Sequence, residues 1–248
     1  RMKMDYKKFL DRFRTNTKTP HCSAVILAAG SSTRMGKDKS VLSLGGIPVI
    51  IRAIQAFEQH ELVDEIIVVT REETIQSIAD LCTQYGFKKV RKVMAGGDTR
   101  AESSLAGVTA VDSKAEYIAI HDGARPLVTE KVITDTLYAA RDYHAAIPVI
   151  PSTDTLRSVT DGFIGGDIDR DSVIRVQTPQ IFDADLIKGA LTFAAKKQIP
   201  ITDDSSAIRL TGFQVRTVEG DVGNVKLTTP EDLPVAEAIL REREEEMH

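Results

Sequence analysis

The chain has 248 residues, of which 42% are hydrophobic and 27% charged, and its formal net charge is −4. A chain of this length suits one α/β domain with a sizeable buried core. The negative balance excludes a general attraction to nucleic acid or to anionic lipid, so we expect no nucleic-acid and no membrane partner, and we expect anionic substrates to be bound by local cations.

Apolar runs typical of strands alternate with helical patterns along the chain. Strands are expected at 24–27, 65–69, 90–94, 117–120, 146–150 and 213–218, and helices at 48–60, 73–85, 99–112, 129–143, 183–196 and 230–246. This alternation predicts an α/β fold with a Rossmann-like, mostly parallel sheet and helices on both faces. In such sheets, ligands bind where the carboxyl ends of the strands meet loops.

Two of the helix starts carry capping signals. Thr99 and Glu102 have the spacing of a capping box, which predicts a helix from position 99. Thr229 precedes Pro230 and two acidic residues, which is typical of a cap, an N1 proline and a first turn. The last helix is therefore expected to begin at position 230.

Residues 151–172 interrupt the alternation. Residues 151–159 indicate a strand with a polar face, Asp161-Gly162 is a hairpin turn signal, and the chain returns over 163–170. The hairpin has no obvious core face, so we expect it to project as an arm. Because a projecting hairpin is marginal alone, we predict that a second copy of the chain holds it in a homodimer.

The two ends and the cysteines give the remaining organisation. Residues 1–20 carry seven Lys or Arg against two Asp and no apolar core, and no window approaches the ~18 apolar residues of a membrane span. We expect residues 1–20 to be a disordered extension and 21–248 a single domain. Cys22 and Cys82 lack metal-ligand spacing, which favours a reducing, cytoplasmic compartment.

The stretch from Ala24 to Lys39 is the strongest chemical signal. An apolar run ends in small residues around Gly30, and three cations follow within six positions. Small residues allow backbone N–H groups to approach a ligand, and cations beside them suit a polyphosphate. The stretch matches neither a dinucleotide fingerprint nor a P-loop. It predicts a nucleotide site, with an ordinary basic surface loop as the alternative.

Four further segments accompany this loop in a specific order. The segments are Gly96-Gly97-Asp98-Thr-Arg100-Ala-Glu-Ser103, His121-Asp122-Gly-Ala-Arg125-Pro126, Gln177-Thr178-Pro179-Gln180 and Asn224-Val-Lys226-Leu-Thr228. With them, the chain from about Cys22 to about Arg241 resembles the 2-C-methyl-D-erythritol 4-phosphate cytidylyltransferases, a family of sugar-phosphate nucleotidyltransferases. The resemblance implies transfer of a cytidylyl group from CTP to a polyol phosphate, release of pyrophosphate, and Mg²⁺ as the cofactor.

The resemblance also implies roles for individual residues. Arg34 and Lys39 would hold the triphosphate, and Lys39 with Lys226 would stabilise the transition state. Asp122 would help to place Mg²⁺, directly or through phosphates, because an acid facing a triphosphate is tolerated with a metal. The expected nucleotide-binding residues are Ala28, Ala29, Gly30, Gly97, Asp98 and Ser103. The expected acceptor-binding residues are Arg125, Thr155, Arg170 and Thr202, with Thr155 and Arg170 reaching over from the partner subunit.

Plainer interpretations remain for several of these residues. Each cation could lie on the surface, Asp122 could be a turn or cap residue, and Ser103 could simply be polar in its helix. We assign no chemistry to His121, which we expect to be a packed strand-end residue. The chain also departs from the family's common pattern at Ser40, at Gly123 and at 173–174, which bears on the acceptor.

Three alternatives to a methylerythritol-phosphate enzyme follow from these observations. Within the same chemistry, the acceptor could be a pentitol phosphate such as ribitol 5-phosphate. From other classes, the chain could be a nicotinamide-dependent oxidoreductase or a non-catalytic, dimer-forming relative. The missing fingerprint glycines argue against the oxidoreductase, and the retained charged residues argue against the non-catalytic relative.

Overall fold

The computed structural model describes residues 21–30 and 42–246. The strands are β1 (Cys22–Leu27), β2 (Ser43–Leu44), β3 (Ile47–Pro48), β4 (Glu65–Thr70), β5 (Val90–Ala95), β6 (Tyr117–Asp122), β7 (Ala145–Pro151), β8 (Arg157–Thr160), β9 (Phe163–Asp167), β10 (Ile174–Val176), β11 (Gln180–Asp183) and β12 (Arg216–Glu219). The helices are α1 (Val49–Gln59), α2 (Ile75–Gln84), α3 (Arg100–Ala110), α4 (Glu130–Tyr143), α5 (Ala184–Lys196), α6 (Asp204–Leu210) and α7 (Asp232–Glu246).

The central sheet of the described chain has eight strands and is mostly parallel. Strands β5, β4, β1 and β6 run parallel in that order, and β12 runs parallel to β7. Strand β11 lies antiparallel between β6 and β7, and β10 adds antiparallel to β7. Strands β1, β4 and β6 are buried along their whole length, as expected for parallel strands that are covered on both faces.

Helices cover both faces of this sheet. Apolar residues of α1, α2 and α4 form one buried cluster with β1 and β4, and those of α3, α5 and α6 form a second cluster on the opposite face. A smaller cluster joins α7 to the short β2–β3 hairpin through Leu44, Leu227 and Ala236. The predicted α/β fold class is confirmed. In the described chain, no helix has the length and apolar character needed to span a bilayer.

The capping box predicted for one helix is confirmed, whereas the last helix begins two residues later than predicted. Thr99 and Glu102 form a complete capping box at the start of α3. Helix α7 begins at Asp232 rather than at position 230, because the Asp232 carboxylate accepts hydrogen bonds from the backbone N–H groups of Thr228 and Thr229. These contacts hold the residues before Asp232 in a turn.

The hairpin arm is formed by β8 and β9. Its turn places Asp161 at φ 52° and Gly162 at φ 82°, the left-handed pair that a tight two-residue hairpin turn requires. The expectation of a polar arm is wrong at its tip, where Val159, Phe163 and Ile164 are 72%, 78% and 81% exposed. Val159 and Ile164 are paired across the two strands, and all three apolar side chains are exposed.

Candidate active site

A pocket of about 430 Å³ opens at the carboxyl end of β6. The charged or hydroxyl-bearing side chains in its wall are Arg100, Asp122, Arg125, Thr178, Thr202, Asp203, Ser205, Ser206, Arg209 and Lys226. They come from α3, from β6 and the loop after it, from the residues before β11, from α6 and the residues before it, and from the segment before α7. The sheet therefore brings together residues that lie as much as 126 positions apart in the chain (Arg100 and Lys226), as the strand-end rule predicts.

Asp122 is the charged centre of this pocket. Lys226 Nζ lies 2.8 Å and Arg125 Nε 3.7 Å from Asp122 Oδ2, while Arg100 Nη2 lies 3.5 Å from Oδ1. Burial acts to raise the pKa of Asp122, but the surrounding cations, chiefly Arg100 and Lys226, outweigh it and hold that pKa well below its usual range. Asp122 is therefore ionised throughout the neutral pH range.

The backbone at the end of β6 fixes the position of Asp122. The N–H of Gly123 donates to the carbonyl of Leu27, which extends the pairing of β6 with β1 by one residue. A Cβ at Gly123 would lie 2.7 Å from Ile50 Cδ1 and 3.1 Å from the Leu27 carbonyl oxygen. A side chain at this position would crowd the Leu27 backbone and displace Ile50, so close packing favours glycine here.

A buried hydrogen-bond chain runs behind Asp122. The Asp122 N–H donates to Thr178 Oγ1, which lies 3.0 Å from His121 Nδ1, while His121 Nε2 lies 3.1 Å from the carbonyl oxygen of Arg125. Because a carbonyl only accepts, Nε2 carries the proton and Nδ1 accepts from the Thr178 hydroxyl. Burial lowers the pKa of His121 to about 4, so the ring is neutral. The predicted packing role of His121 is consistent with this geometry.

Lys226 and Arg125 are held by the same buried region. The Arg125 guanidinium donates to the carbonyl of Asn224 at 2.7 Å, and the Asn224 side chain donates to the carbonyl of Thr178 at 2.9 Å. The Leu227 N–H donates to the carbonyl of Ala124. The segment that carries Lys226 is therefore fastened on both sides of the lysine, and the Lys226 side chain remains 40% exposed toward the pocket.

One ion pair, between Arg100 in the pocket wall and a buried aspartate beside it, has no counterpart among the predicted residues. Arg100 Nη2 lies 2.8 Å from Asp204 Oδ2, and the Asp204 side chain is completely buried. Burial acts to lower the pKa of Arg100, but Asp204 and Asp122 outweigh it and raise that pKa. Arg100 lies inside the recognised segment 96–103, but no pattern in the sequence pairs it with Asp204.

The predicted base-binding residues converge beside the amino end of α3. The Gly97 N–H donates to Ser103 Oγ at 3.2 Å, and Ser103 is buried. A Cβ at Gly96 would lie 2.4 Å from Ser103 Oγ and 2.9 Å from Ala29 Cβ, so this loop packs tightly on the end of β1. Gly30 and Asp98 are exposed beside them. Ser103 therefore holds the loop at 96–97 in place through a hydrogen bond that the sequence did not predict.

The predicted acceptor residues separate into two groups. Arg125 and Thr202 line the pocket, and Thr202 Oγ1 lies 3.0 Å from Ser206 Oγ at the start of α6. Thr155 and Arg170 are exposed on the arm and do not line the pocket of their own chain. The predicted triphosphate residues Arg34 and Lys39 lie outside the described residues, as does the predicted extension at 1–20.

The donor set around Asp122 fits a metal that is bound mainly by substrate. No group of three or more His, Cys, Asp or Glu side chains suited to a metal occurs in the described ranges, so a cage made by protein alone is not present there. Mg²⁺ is commonly bound by one or two carboxylates together with substrate phosphates. Asp122 Oδ1, with its 3.5 Å contact to Arg100, offers one such oxygen beside the pocket.

Comparison with known proteins identifies the family. The family model of 2-C-methyl-D-erythritol 4-phosphate cytidylyltransferase matches residues 22–242. The chain belongs to this family. The predicted family is thereby confirmed, and the nicotinamide-dependent alternative is wrong.

Named relatives and solved structures agree with this assignment. The 2-C-methyl-D-erythritol 4-phosphate cytidylyltransferase of Caldanaerobacter subterraneus subsp. tengcongensis is 44% identical over 223 residues, covering 88% of this chain and 98% of the relative. That of Halalkalibacterium halodurans is 41% identical over 224 residues, covering 90% and 98%. The crystal structure of 4-diphosphocytidyl-2C-methyl-D-erythritolsynthase from Anaerococcus prevotii has a TM-score of 0.81 and 32% identity, covering 90% of this chain and 97% of that one.

Proposed function

We propose that the protein transfers the cytidylyl group of CTP to 2-C-methyl-D-erythritol 4-phosphate and releases pyrophosphate. The observation that carries the proposal is membership of the family over residues 22–242, and it is supported by the meeting of Asp122, Arg125 and Lys226 in one pocket. This activity would supply a precursor for isoprenoid biosynthesis by the non-mevalonate route. The pairing of Lys226 with the ionised Asp122 supports a working site over a non-catalytic relative.

The reaction joins two anions. An oxygen of the acceptor's phosphate attacks the α-phosphorus of CTP, the new phosphorus–oxygen bond forms, and the bond between the α- and β-phosphates breaks as pyrophosphate leaves. The attacking phosphate is already ionised, so positioning and cations contribute more than a general base. Lys226 and Arg125 lie beside Asp122 where this charge would develop.

The remaining charge stabilisation is assigned to the loop after β1 and to a metal. In this proposal, Arg34 and Lys39 bind the triphosphate, and Lys39 acts with Lys226 in the transition state. Asp122 would hold Mg²⁺ together with phosphate oxygens of the nucleotide. The bound ion would neutralise charge on those phosphates.

Cytosine selection is proposed for the tight loop beside β1. A slot formed by Ala28, Ala29, Gly97 and Ser103 would admit a pyrimidine and be overfilled by a purine. Polar backbone groups that pair with the cytosine edge would be left unpaired by uracil. The close approach of Ala29 to Gly96 supports a narrow slot.

The arm is proposed to complete the acceptor site of a second copy in a homodimer. Thr155 and Arg170 lie outside their own pocket, and the arm exposes Val159, Phe163 and Ile164, apolar side chains that a partner would cover. Arginine suits bidentate binding of the acceptor phosphate. A cytoplasmic location is proposed from the free, buried thiols of Cys22 and Cys82.

Pyrophosphate release tests the proposal directly. Purified protein with CTP and Mg²⁺ is assayed in parallel with methylerythritol 4-phosphate, with ribitol 5-phosphate and with no acceptor. We expect kcat/KM for methylerythritol 4-phosphate to exceed that for ribitol 5-phosphate at least tenfold, about 1.4 kcal/mol. The spacing between phosphate and polyol hydroxyls, which differs between four- and five-carbon chains, is the expected cause. A preference for ribitol 5-phosphate would favour a pentitol-phosphate enzyme instead.

A further inference from the structure

One guanidinium connects a carboxylate that lines the pocket with a second carboxylate that is buried beside it. Arg100, at the start of α3, places Nη2 2.8 Å from Asp204 Oδ2 and 3.5 Å from Asp122 Oδ1. Asp122 ends β6, and Asp204 begins α6, 82 residues later. The Arg100 side chain is 31% exposed, whereas the Asp204 side chain is fully buried. Burial raises the pKa of Asp204 and Arg100 acts against that rise, so one guanidinium counters both a buried carboxylate and the charged centre.

The arrangement around α6 links Asp204 to the acceptor wall. Asp203 accepts hydrogen bonds from Gln180 Nε2 at 2.7 Å and from the Ser206 N–H at 3.0 Å, which fixes the first turn of the helix. Thr202 is two residues before Asp204 and lines the pocket. A displacement of Asp204 would therefore displace the hydroxyl that faces the acceptor.

We infer that Arg100 is a positioning residue, which couples the acceptor wall at Thr202 to the transfer centre at Asp122 through its ion pair with Asp204. The inference rests on the proposed function, because it assigns the Thr202 side of the pocket to the acceptor. Without Arg100, Asp204 loses its partner in a buried site, and Asp122 loses the cation on Oδ1. The Asp122 carboxylate is then held by cations on Oδ2 alone.

The nucleotide slot should be largely independent of this coupling. The hydrogen bond from Gly97 to Ser103 and the capping box of Thr99 with Glu102 use no atom of the Arg100 side chain. Loss of Arg100 should therefore affect the acceptor more than CTP. This difference separates a positioning role from a general loss of structure.

A double-mutant cycle tests the inference. Arg100→Gln, Asp204→Asn and the double variant are compared with the wild-type protein for Tm and for steady-state kinetics with CTP and methylerythritol 4-phosphate. Arg141→Gln on α4 is the matched control: its guanidinium is half-exposed, pairs with Asp142 and lies 4.9 Å from the centre of the Tyr138 ring, so the change should leave the kinetics unaltered and lower Tm less than Arg100→Gln does. In Arg100→Gln, Tm should fall because Asp204 is unpaired, and in the double variant at least half of that loss should return.

The kinetic expectation differs from the expectation for stability. In both Arg100→Gln and the double variant, kcat should stay at least about tenfold below wild type and the acceptor KM should rise at least about threefold, with the CTP KM within about twofold. A double variant that recovers Tm and kcat together would show a purely structural role and overturn the inference, as would equal changes in both KM values. Equal Tm in Arg100→Gln and the double variant would refute the ion-pair coupling regardless of activity. An inactive wild-type protein would instead contradict the proposed function.

Discussion

Lys226 is the cation best placed to act on the reacting phosphates in the described chain. Its ammonium pairs with Asp122 at 2.8 Å while its side chain stays 40% exposed toward the pocket. Stabilisation of charge that develops in the transition state appears in kcat rather than in KM. The same reasoning applies to Lys39, whose role comes from its place in the loop after β1.

We therefore expect Lys226→Ala and Lys39→Ala each to lower kcat by more than about tenfold. Lys131→Ala is the control, because its ammonium is 73% exposed on α4 and pairs with Asp135 away from the pocket. Pyrophosphate release at saturating substrates measures the effect. Near-normal turnover in a folded Lys39→Ala variant would remove that residue from the proposed site.

His121 gives the protein a defined sensitivity to acid. Its pKa is lowered from 6.5 to about 4 because the ring is buried. Between pH 6.5 and about pH 4, His121 is therefore protonated in the unfolded chain but neutral in the native protein. Its contribution to the free energy of unfolding is fully present above pH 6.5 and is lost as the pH falls toward 4. We expect His121 to account for a loss on the order of 3 kcal/mol across this range.

Urea unfolding of wild-type protein and His121→Gln between pH 7 and pH 4.5 checks this expectation. Glutamine retains an N–H that can donate to the Arg125 carbonyl, so the variant should fold and should lose less stability on acidification. In the wild type, the imidazole carbon shifts of His121 should stay those of the neutral ring until about pH 4. Identical pH slopes for both proteins would contradict the assignment.

At the scale of elements, a crowded glycine and an uncrowded one test how closely the end of β6 packs against its neighbours. A Cβ at Gly123 would lie 3.1 Å from the backbone oxygen of Leu27, whereas a Cβ at Gly189, on the exposed side of α5, meets nothing within 4 Å. Gly123→Ala should therefore cost about 1–3 kcal/mol of stability through overpacking. Gly189→Ala should add about 0.5–1 kcal/mol, because alanine favours helix.

The free energy of unfolding in urea measures both changes, and the two variants control for each other. Activity adds a second readout, because Gly123 follows Asp122 directly. We expect kcat to fall in Gly123→Ala and to stay at the wild-type value in Gly189→Ala. A Gly123→Ala protein as stable as wild type would mean that Ile50 yields and that the glycine is not required by packing.

Elements with a clear pattern of apolar residues or a capping signal were predictable from the sequence, and very short elements without either were not. Strands β1, β4 and β6 are buried throughout and contain mostly apolar residues, and Thr99 with Glu102 marked the start of α3. The prediction missed β11, which has four residues between a proline and a helix, and α6, which has seven. Segments this short contain at most about two repeats of a helical or strand pattern of apolar residues. Their pairing with the rest of the fold therefore defines them.

The site shows the same division between local and distant signals. The grouping of Asp122, Arg125 and Lys226 followed from recognisable segments at strand ends. The pairing of Arg100 with Asp204 joins two helices 104 residues apart, and no local pattern encodes it. Sequence reasoning grouped these three residues, whereas the ion pair beside them was visible only in the fold.

At the scale of the whole molecule, the arm determines whether one chain can form a complete active site. Its apolar tip is exposed, and Thr155 and Arg170 lie away from the pocket that contains Thr202. If the arm completes the site of a partner subunit, each active site combines Lys39 and Lys226 of one chain with Arg170 of the other. In a twofold dimer there would be two such shared sites.

Complementation between inactive variants tests this arrangement. Arg170→Ala and Lys39→Ala should each be inactive alone, but a heterodimer of the two contains one site with both residues intact. Equal mixing with full subunit exchange should therefore restore about a quarter of wild-type activity, since half of the dimers are mixed and each has one working site. Mixing Lys39→Ala with Lys226→Ala is the control and should restore nothing, because both lysines belong to the same chain's contribution. An absence of recovery for the first pair, with subunit exchange confirmed by mass spectrometry, would show that the arm acts on its own chain or not at all.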